Sequence, residues 1–267
     1  MSYSNPSVEP GAGTVPLQEA VQAPAFADTI NRIVAQIAGA RGDVEALELL
    51  EAAVEAFGCS AAVFASFVRD DATTRSCRYL ISGGPALQSL CSNISQSEHD
   101  PWLAYARRHF EPRCSKDLGI TPDAHSQRAF LAQAAELGFR EALIVPSHCV
   151  SGPSRIGMLS LGSDQPGYFS DERALALLTV PATALSLHLH IWWHARLRSD
   201  LINRVPLTPA ELDLARMLLQ GLNSKQISRR LNMRSNTIDS QLARMARRLG
   251  VGSRRAAVEL LREYGVI

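Results

Sequence analysis

Basic side chains that can hold phosphates are concentrated at the C-terminal end of the chain. From residue 205 onward there are 11 Lys and Arg residues against 5 Asp and Glu residues, whereas the first 204 residues hold 16 basic and 21 acidic side chains. Lys and Arg neutralise phosphates and release the counterions bound to them. A basic end on an acidic body therefore indicates that the end binds a polyanion and that the body does not.

These basic residues fall on a succession of four predicted helices. The helices are predicted to begin at Thr208-Pro209-Ala210-Glu211, at Asn223-Ser224, near Asn236 and at Ser253. The first start is a capping box, with Thr at the N-cap, Pro at the first helical position and Glu at the third. The second helix ends at Leu231, and a turn of about four residues separates it from the basic third helix. Two short helices joined in this way are typical of a helix-turn-helix, although a packing module with a solvated basic face is an alternative.

One face of the third helix is predicted to enter the major groove of duplex DNA. Apolar residues at spacings of four, three and four commit the other face to a core, namely Ile238, Leu242, Met245 and Leu249. The remaining face points outward with its N-terminal end against the bases. The residues predicted to contact DNA are Lys225, Arg229, Arg234, Asn236, Thr237, Asp239, Ser240, Ala243, Arg244, Arg247 and Arg254.

The acidic body has the element order of a sheet covered by helices. The chain of 267 residues is 46% apolar and 20% charged, which excludes a disordered chain and suits one large or two ordinary domains. Strands are predicted over 61–68, 77–81, 142–149 and 155–162, and helices over 26–37, 43–57, 87–94, 125–137 and 170–203. A further short helix follows Asp100-Pro101, and Asp43, Asp100 and Ser170 are predicted N-caps. The last helix is predicted to break or kink near Pro181.

Hairpins without a βαβ crossover predict an α+β fold, an α-β-α sandwich with an antiparallel sheet. The predicted division is a mobile tail over residues 1–24, a sheet domain over 25–203 and a four-helix domain over 204–267. The order of elements also argues against a response-regulator receiver domain, which needs parallel βαβ units.

No residues of the chain form a pattern for metal, cofactor or covalent chemistry. The 5 cysteines include no CxxC pair, and their spacing to histidines does not suit zinc, so we predict reduced thiols, no metal and no cofactor. A nucleophile–base set and a phosphate-binding GK[ST] loop are missing, which predicts that the protein is not an enzyme. The N-terminus does not have the pattern of a secretory signal, and residues 174–193 hold too many polar groups for a membrane span. We therefore predict a cytoplasmic protein.

The C-terminal motifs resemble the LuxR-type helix-turn-helix over nearly all of residues 207–260. The matching motifs are Leu207-Thr208-Pro209 with Glu211, the run from Gly221 to Leu231, Asn236-Thr237-Ile238, and Arg248-Leu249-Gly250-Val251 with Arg254. The resemblance implies a transcription regulator that binds duplex DNA as a homodimer on two-fold-related half-sites, with RNA polymerase as a further partner.

The body resembles the autoinducer-binding domain of quorum-sensing LuxR regulators. The matching motifs are Asp100-Pro101, Gly138-Phe139-Arg140 followed by Val145-Pro146, and the strand over 156–161. In that family the sandwich holds an N-acyl homoserine lactone between the sheet and one helix layer. A Trp and a Tyr donate hydrogen bonds to carbonyls of the ligand, and the Asp of the Asp-Pro pair accepts from its amide N–H.

Several positions of this chain depart from that pattern. The family's Trp and Tyr fall on Leu87 and Cys91, its second Trp falls on Cys114 or Ser115, and a glycine falls on Ala142. Leucine donates no hydrogen bond and a thiol is a weak donor, so losing two or three contacts lowers affinity by roughly 10²–10⁴. We predict an orphan regulator whose pocket is filled by its own side chains or takes another apolar molecule. The candidate pocket residues are Phe64, Tyr79, Leu87, Cys91, Asp100, Trp102, Tyr105, Cys114 and Ala142.

The third helix of the DNA-binding module also departs from the family. Asp239 and Ala243 stand where family members often place basic residues that read bases. Aspartate accepts a hydrogen bond from cytosine N4 but repels phosphate, so the Lys and Arg residues are predicted to supply the phosphate contacts.

Dimer contact is predicted along the C-terminal part of the long helix, which is rich in large apolar groups: Leu185, Leu189, Ile191, Trp192 and Trp193. The alternative is that these side chains pack within their own domain. A second reading of the function is a regulator that acts mainly through protein–protein interaction or by forming a heterodimer with another LuxR-type protein.

Overall fold

The structure is a computed structural model that describes residues 15–69, 75–92, 100–119, 125–148 and 156–267. Several sequence predictions fall outside the described residues: most of the tail over 1–24, the end of the predicted strand at Cys149, and the side chain of Cys77. Helices and strands are numbered in chain order through the described residues.

The N-terminal domain contains helices and strands in the predicted order. Its helices are α1 Leu17–Gln22, α2 Phe26–Ile37, α3 Asp43–Ala56, α4 Pro85–Ser92, α5 Pro101–Ala106, α6 His125–Glu136 and α7 Glu172–Arg204. Its strands are β1 Ala61–Arg69, β2 Arg75–Ser82, β3 Arg113–Cys114, β4 Glu141–His148 and β5 Ile156–Ser163. The predicted α+β class is confirmed, and α1 and β3 are additions that the sequence analysis missed.

The strands form one antiparallel sheet in the order β2-β1-β5-β4-β3. In its register Phe64 of β1 faces Leu80 of β2 on one side and Leu159 of β5 on the other. Val145 of β4 pairs with Leu159 of β5, which extends the same row across the sheet. The sheet is therefore one continuous surface that needs a cover on both faces.

Two helix layers cover the two faces, and strand alternation decides which side chain meets which layer. One face packs against α1, α2, α3 and α7 through Ala62, Phe64, Leu80, Leu143, Val145, Leu159 and Leu161. The other face packs against α4, α5 and α6 through Ala61, Val63, Ala142, Ile144, Ile156 and Met158. These layers form the α-β-α sandwich.

The end of the predicted tail belongs to the folded domain. Helix α1 buries Leu17, Ala20 and Val21, and Leu17 and Val21 join the core beneath α2, α3 and α7. The prediction of a mobile tail up to residue 24 is wrong for residues 17–22, because the apolar face of a six-residue helix was too short to recognise among Pro and Gly residues.

Two predicted N-caps shift by one residue. Helix α7 begins after Asp171, whose carboxylate accepts from the backbone N–H groups of Arg173 and Ala174, rather than after Ser170. Asp43 is the first residue of α3 and not its cap, because Gly42 occupies the N-cap. Ser170 and Asp171 are both suitable caps for α7, and the glycine before Asp43 also suits an N-cap, so sequence alone leaves both positions ambiguous by one residue.

Helix α7 runs without a break through Pro181 and links both domains. Leu178, Leu185 and Leu189 pack in the core of the sheet domain, whereas Leu201 packs in the core of the C-terminal domain. Within the described residues it is a helix long and apolar enough, by length and composition, to cross a membrane. The predicted break near Pro181 is wrong, because the helix continues past it. The boundary predicted at residues 203–204 stays a prediction, and Leu201, just before it, already packs in the second core.

The paired tryptophans of α7 are buried within their own domain. Trp192 is 6% exposed and donates through Nε1 to the backbone oxygen of Ala40 at 2.9 Å. Trp193 is 5% exposed in the same core, and the Arg196 guanidinium lies 5.7 Å above the Trp192 ring. The predicted dimer contact through Trp192 and Trp193 is therefore wrong, and the alternative of packing within the domain holds for them.

The C-terminal domain consists of α8 Pro209–Leu219, α9 Ser224–Leu231, α10 Ser235–Arg248 and α11 Arg254–Glu263. Capping boxes begin α8 at Thr208 and α9 at Asn223, as predicted. Leu214 and Ala215 form the buried face of α8, whereas Leu219 is 39% exposed.

Candidate DNA-binding surface and ligand cavity

The turn between α9 and α10 sets the angle of a helix-turn-helix. Asn232 ends α9 in the left-handed region at φ 51°, a conformation that asparagine tolerates better than most residues. Ser228 then bonds through Oγ to the backbone oxygen of Met233, and the Met233 N–H donates to the Ser228 carbonyl at 3.1 Å. These two hydrogen bonds close the turn, so α10 leaves α9 in a fixed direction.

Helix α10 has one face in the core and one in solvent, as the spacing predicts. Ile238, Leu242 and Met245 are each at most 1% exposed, and Leu249 follows them just after the helix. The opposite face carries the predicted DNA-contacting residues, all of them exposed: Asn236, Thr237, Asp239, Ser240, Ala243, Arg244 and Arg247. The geometry therefore gathers on one helix face the residues that were named from the sequence.

The cations around this face are of two kinds. Lys225, Arg229, Arg234, Arg244 and Arg247 are exposed, and they form no ion pair within the part of the chain that the structure describes. Cations without an internal acid are free to neutralise phosphates. The predicted contact at Arg254 differs, because its Nη1 lies 2.9 Å from the Asp239 carboxylate.

An ion pair between a buried carboxylate and a partly exposed arginine joins two helices of this module. Arg248 Nη1 donates to Glu211 Oε1 at 2.9 Å, and the side chain of Glu211 is 7% exposed. Burial raises the pKa of Glu211, but the hydrogen bonds from Thr208 and the Arg248 guanidinium outweigh it and leave the pKa below its ordinary value. The capping glutamate of α8 thus also ties the C-terminal end of α10 to α8.

A cavity lies in the N-terminal domain between the sheet and the layer of α4, α5 and α6. It encloses about 530 Å³ of empty space, part of it open to solvent. Its lining consists of Val63, Ala65, Tyr79, Leu87, Leu90, Cys91, Asp100, Trp102, Phe130, Ala134, Phe139, Met158 and Ser160.

The structure brings Tyr79, Leu87, Cys91, Asp100 and Trp102 to the cavity wall, as the sequence analysis expected. That placement concerns geometry, and ligand binding by these residues stays a prediction.

Four other candidates lie elsewhere. Phe64 and Cys114 belong to the core on the opposite face of the sheet. Tyr105 lies in the layer of the cavity but turns its hydroxyl to the backbone oxygen of Glu111 at 2.7 Å. Ala142 is buried in the same layer without lining the cavity. Phe64 was misplaced because β1 is apolar on both faces, so its sequence does not show which residues face the cavity.

Sequence analysis missed Phe130, Phe139, Met158 and Ser160 as individual lining residues. Strand alternation carries a usable signal for two of them, because Ser160 lies two residues beyond Met158 on β5 and so shares its face. Phe130 and Ala134, four residues apart on α6, share the inward face of that helix.

The polar groups of the cavity are few. Asp100 caps α5, where its Oδ1 accepts from the N–H of Trp102 at 2.8 Å and of Leu103 at 3.2 Å. Burial raises the pKa of Asp100 to about 6 despite these hydrogen bonds. Ser160 Oγ is buried and has no hydrogen-bond partner within the described residues. Burial raises the pKa of the Cys91 thiol to about 12, so it stays neutral.

A cavity-containing sheet domain, joined by a continuous helix to a helix-turn-helix with an exposed basic face, is the architecture of a two-domain DNA-binding regulator. Two family models match the chain. The autoinducer binding domain matches residues 43–191, over half of the chain, and the model of bacterial regulatory proteins of the luxR family matches residues 205–261. The protein belongs to the LuxR-type transcription regulators, with an autoinducer-binding domain and a DNA-binding domain.

Solved structures share the fold at low sequence identity. Escherichia coli SdiA aligns with a TM-score of 0.66 at 15% identity, over 91% of this chain and 99% of that chain. SdiA in complex with octanoyl-rac-glycerol aligns with a TM-score of 0.64 at 13% identity, over 92% and 98% of the two chains. CepR2 from Burkholderia cenocepacia, an N-acylhomoserine lactone dependent LuxR family factor, aligns with a TM-score of 0.54 at 17% identity, over 64% and 98%. No curated protein sequence matches this chain.

Proposed function

We propose that the protein binds a two-fold-related promoter site as a homodimer in the cytoplasm, without catalytic activity and with RNA polymerase as a partner at the promoter. The observation that carries this proposal is the row of exposed cations on and around α10, above a filled core. A dimer presents two such helices related by a two-fold axis, so its preferred site has the same symmetry.

Arg247→Ala tests the DNA contact. The duplex is first selected from a random pool with the unaltered protein, and affinity is then measured by fluorescence anisotropy at several salt concentrations. Loss of one phosphate contact is expected to weaken binding to all duplexes alike and to flatten the salt slope by about 1. Arg173→Ala, an exposed arginine at the start of α7, is the matched control. A loss confined to one base position would show that Arg247 reads sequence instead.

The dimer contact is assigned to the outer face of α7. Leu177, Val180, Leu187 and Ile191 recur there at spacings of three, seven and four, and each is at least 40% exposed. A helix stripe of this kind is usually covered by a partner. Of the residues predicted from the sequence, Ile191 remains in this proposal, and Trp192 and Trp193 do not.

Sedimentation of Val180→Glu tests the assignment, because a charge on the stripe should convert the dimer to a folded monomer. Val44→Glu, at a valine of α3 that is 73% exposed against 72% for Val180, is the control. An intact Val180→Glu dimer would remove the stripe from the interface. A monomer of the unaltered chain that associates with a second LuxR-type protein would favour the heterodimer reading.

We propose further that the cavity does not take ordinary acyl-homoserine lactones tightly. Leu87 offers no donor, and the Cys91 thiol is a weak one, on the wall where a ligand carbonyl would need partners. Tyr79 and Trp102 line the cavity and carry a hydroxyl and an indole N–H, and the wall also offers the Asp100 carboxylate and the buried Ser160 hydroxyl as acceptors for a ligand donor. These suit an apolar molecule with a donor at its polar end, and SdiA is known in complex with such an alcohol, octanoyl-rac-glycerol.

Mass spectrometry of extracts from protein expressed with and without acyl-homoserine lactones tests the cavity. We expect folded protein without added signal, and no stoichiometric lactone. A ligand at 100 times its dissociation constant stabilises by about 2.7 kcal/mol, so a thermal melt is a second readout. A strict dependence of soluble yield on a lactone would overturn the proposal.

A further inference from the structure

Three helices of the C-terminal domain meet at one hydrogen-bonded cluster. Ser224 Oγ donates to Asp239 Oδ1 at 2.6 Å. Arg254 Nη1 donates to the same carboxylate oxygen at 2.9 Å and to Ser224 Oγ at 2.9 Å. Ser224 and Arg254 are the first residues of α9 and α11, and Asp239 lies in the second turn of α10. The cluster therefore joins the two helix starts that flank the DNA-facing helix.

The backbone of each helix fixes the position of its member of the cluster in the absence of DNA. The capping box at Asn223 fixes the start of α9, and Ser224 is 9% exposed. The Ser253 hydroxyl caps α11 by accepting from the N–H of Ala256 at 3.1 Å. Ile238, next to Asp239, is fully buried. The cluster is thus part of the folded domain rather than a chance contact of two long side chains.

The hydrogen bonds of the cluster limit the ability of Asp239 to accept a hydrogen bond from a DNA base. Its Oδ1 accepts two hydrogen bonds from within the domain, one of them from a cation. A cytosine N4 donor would have to compete with both partners. The carboxylate is directed toward Ser224 and Arg254, and its negative charge is neutralised there.

Arg254 uses only part of its guanidinium in the cluster. The cluster uses Nη1 alone, whereas the arginine fork presents five N–H donors in a fixed plane. Holding one nitrogen removes much of the rotamer freedom that a flexible arginine loses when it binds a phosphate. The side chain is 48% exposed, so the rest of the fork is accessible.

We propose that Asp239 is a positioning residue: it anchors Arg254 so that the guanidinium binds a DNA phosphate, and it does not read a base. This inference rests on the DNA binding proposed above. The inference predicts that Asp239 raises the affinity for DNA, whereas an unpaired acid beside DNA would lower it.

The test is a double-mutant cycle on the full chain with the duplex selected by the unaltered protein. Asp239→Asn should weaken binding about 2–5-fold and leave the selected sequence unchanged. Arg254→Ala should weaken binding and flatten the salt slope by about 1. The double variant should bind like Arg254→Ala alone, because an anchor without its arginine has no further effect.

Ser224→Ala removes one partner of the cluster without changing charge, so it should weaken binding in the same direction and by less. Asp213→Asn is the control, because Asp213 forms a similar exposed pair with Arg216 on α8 at 2.9 Å and should show no coupling to Arg254. Thermal melts establish that each variant is folded.

Two results would overturn the inference. A change of preferred base at one position in Asp239→Asn would make the residue a base reader. Tighter binding by Asp239→Asn, with the full Arg254→Ala effect retained, would reduce Asp239 to a repulsive charge. Failure of the unaltered protein to select any duplex would instead refute the proposed DNA binding itself, before any variant is made.

Discussion

The two candidate sites of this protein stand in opposite relations to the cores beneath them. Arg244 and Arg247 are exposed side chains next to the buried Leu242 and Met245, so the DNA-facing surface lies on top of a filled core. The cavity is a gap within a core, and several of its lining residues, such as Trp102 at 6% exposure, are themselves buried. A substitution on the basic surface can therefore change binding without changing stability. A substitution in the cavity wall is expected to change both.

The same contrast appears within the sheet. Phe64, Leu143 and Leu159 pack tightly under α2, α3 and α7, whereas Val63 and Met158 on the other face border empty space. Adjacent residues of one strand thus differ in how much packing each supplies.

The largest expected effect compares the two faces of the sheet. Phe64→Ala should lower the free energy of unfolding by about 3–5 kcal/mol, because it opens a void in a closed core. Phe130→Ala, at the cavity wall, should lower it by only about 1–2 kcal/mol, because part of its surroundings is already empty. Urea unfolding of both variants measures the difference, and equal losses would show that the cavity is closed by packing in solution.

The next effect concerns the ion pair of the DNA-binding domain. Arg248→Ala leaves the buried Glu211 carboxylate without its cation and should cost about 1–3 kcal/mol. Because the pKa of Glu211 is lowered in the folded state, its contribution is present above the ordinary carboxyl pKa and is lost as the pH falls below it. Acid unfolding of Arg248→Ala should therefore begin at higher pH, whereas Arg216→Ala, in an exposed pair, should match the unaltered protein.

Asp100 should give the opposite pH dependence. Its pKa of about 6 lies above the value near 3.9 of an unfolded chain, so the folded state holds the proton more tightly. The resulting stability is present at low pH and is lost as the pH rises through about 6, which amounts to about 1 kcal/mol between pH 5 and pH 7. Asp100→Asn keeps a capping side chain and should abolish this slope. An unchanged slope would place the titration elsewhere.

The smallest effect on stability belongs to the DNA-facing surface. Ala243→Lys adds a cation at an exposed position of α10 and should change the free energy of unfolding by less than about 0.5 kcal/mol. DNA affinity should nevertheless rise and the salt slope steepen by about 1, if the lysine reaches a phosphate. A large loss of stability would contradict the separation of this surface from its core.

Sequence periodicity was sufficient for the DNA-binding domain. The spacing of Ile238, Leu242 and Met245 identified the buried face of α10, and the exposed face followed from it. Capping residues such as Thr208 and Asn223 fixed the helix starts, because their side-chain oxygens have one geometry to satisfy. Pairing between distant residues, as in Asp239 with Arg254, is a tertiary contact that periodicity does not encode.

The sheet domain was predictable as a fold but less so as a site. Its strands were found from β-branched and apolar runs, but a strand buried on both faces carries no alternation to mark the side that meets a cavity, and Phe64 was misplaced for that reason. Trp192 was equally ambiguous, because a large aromatic residue suits a core as well as an interface. Its bond to the Ala40 carbonyl depends on a loop about 150 residues away.

The continuous helix α7 can convert a small tilt in the sheet domain into a larger displacement at the C-terminal domain. From Leu178 in one core to Leu201 in the other, the rise of a helix sets a distance of about 35 Å. The helix is continuous over that length, so a tilt of the whole helix by about 5° against the sheet would displace its far end by about 3 Å. In the proposed dimer, a small repacking around the sheet would therefore change the spacing between the two copies of α10 by a distance comparable to one base-pair step, without any change inside either domain.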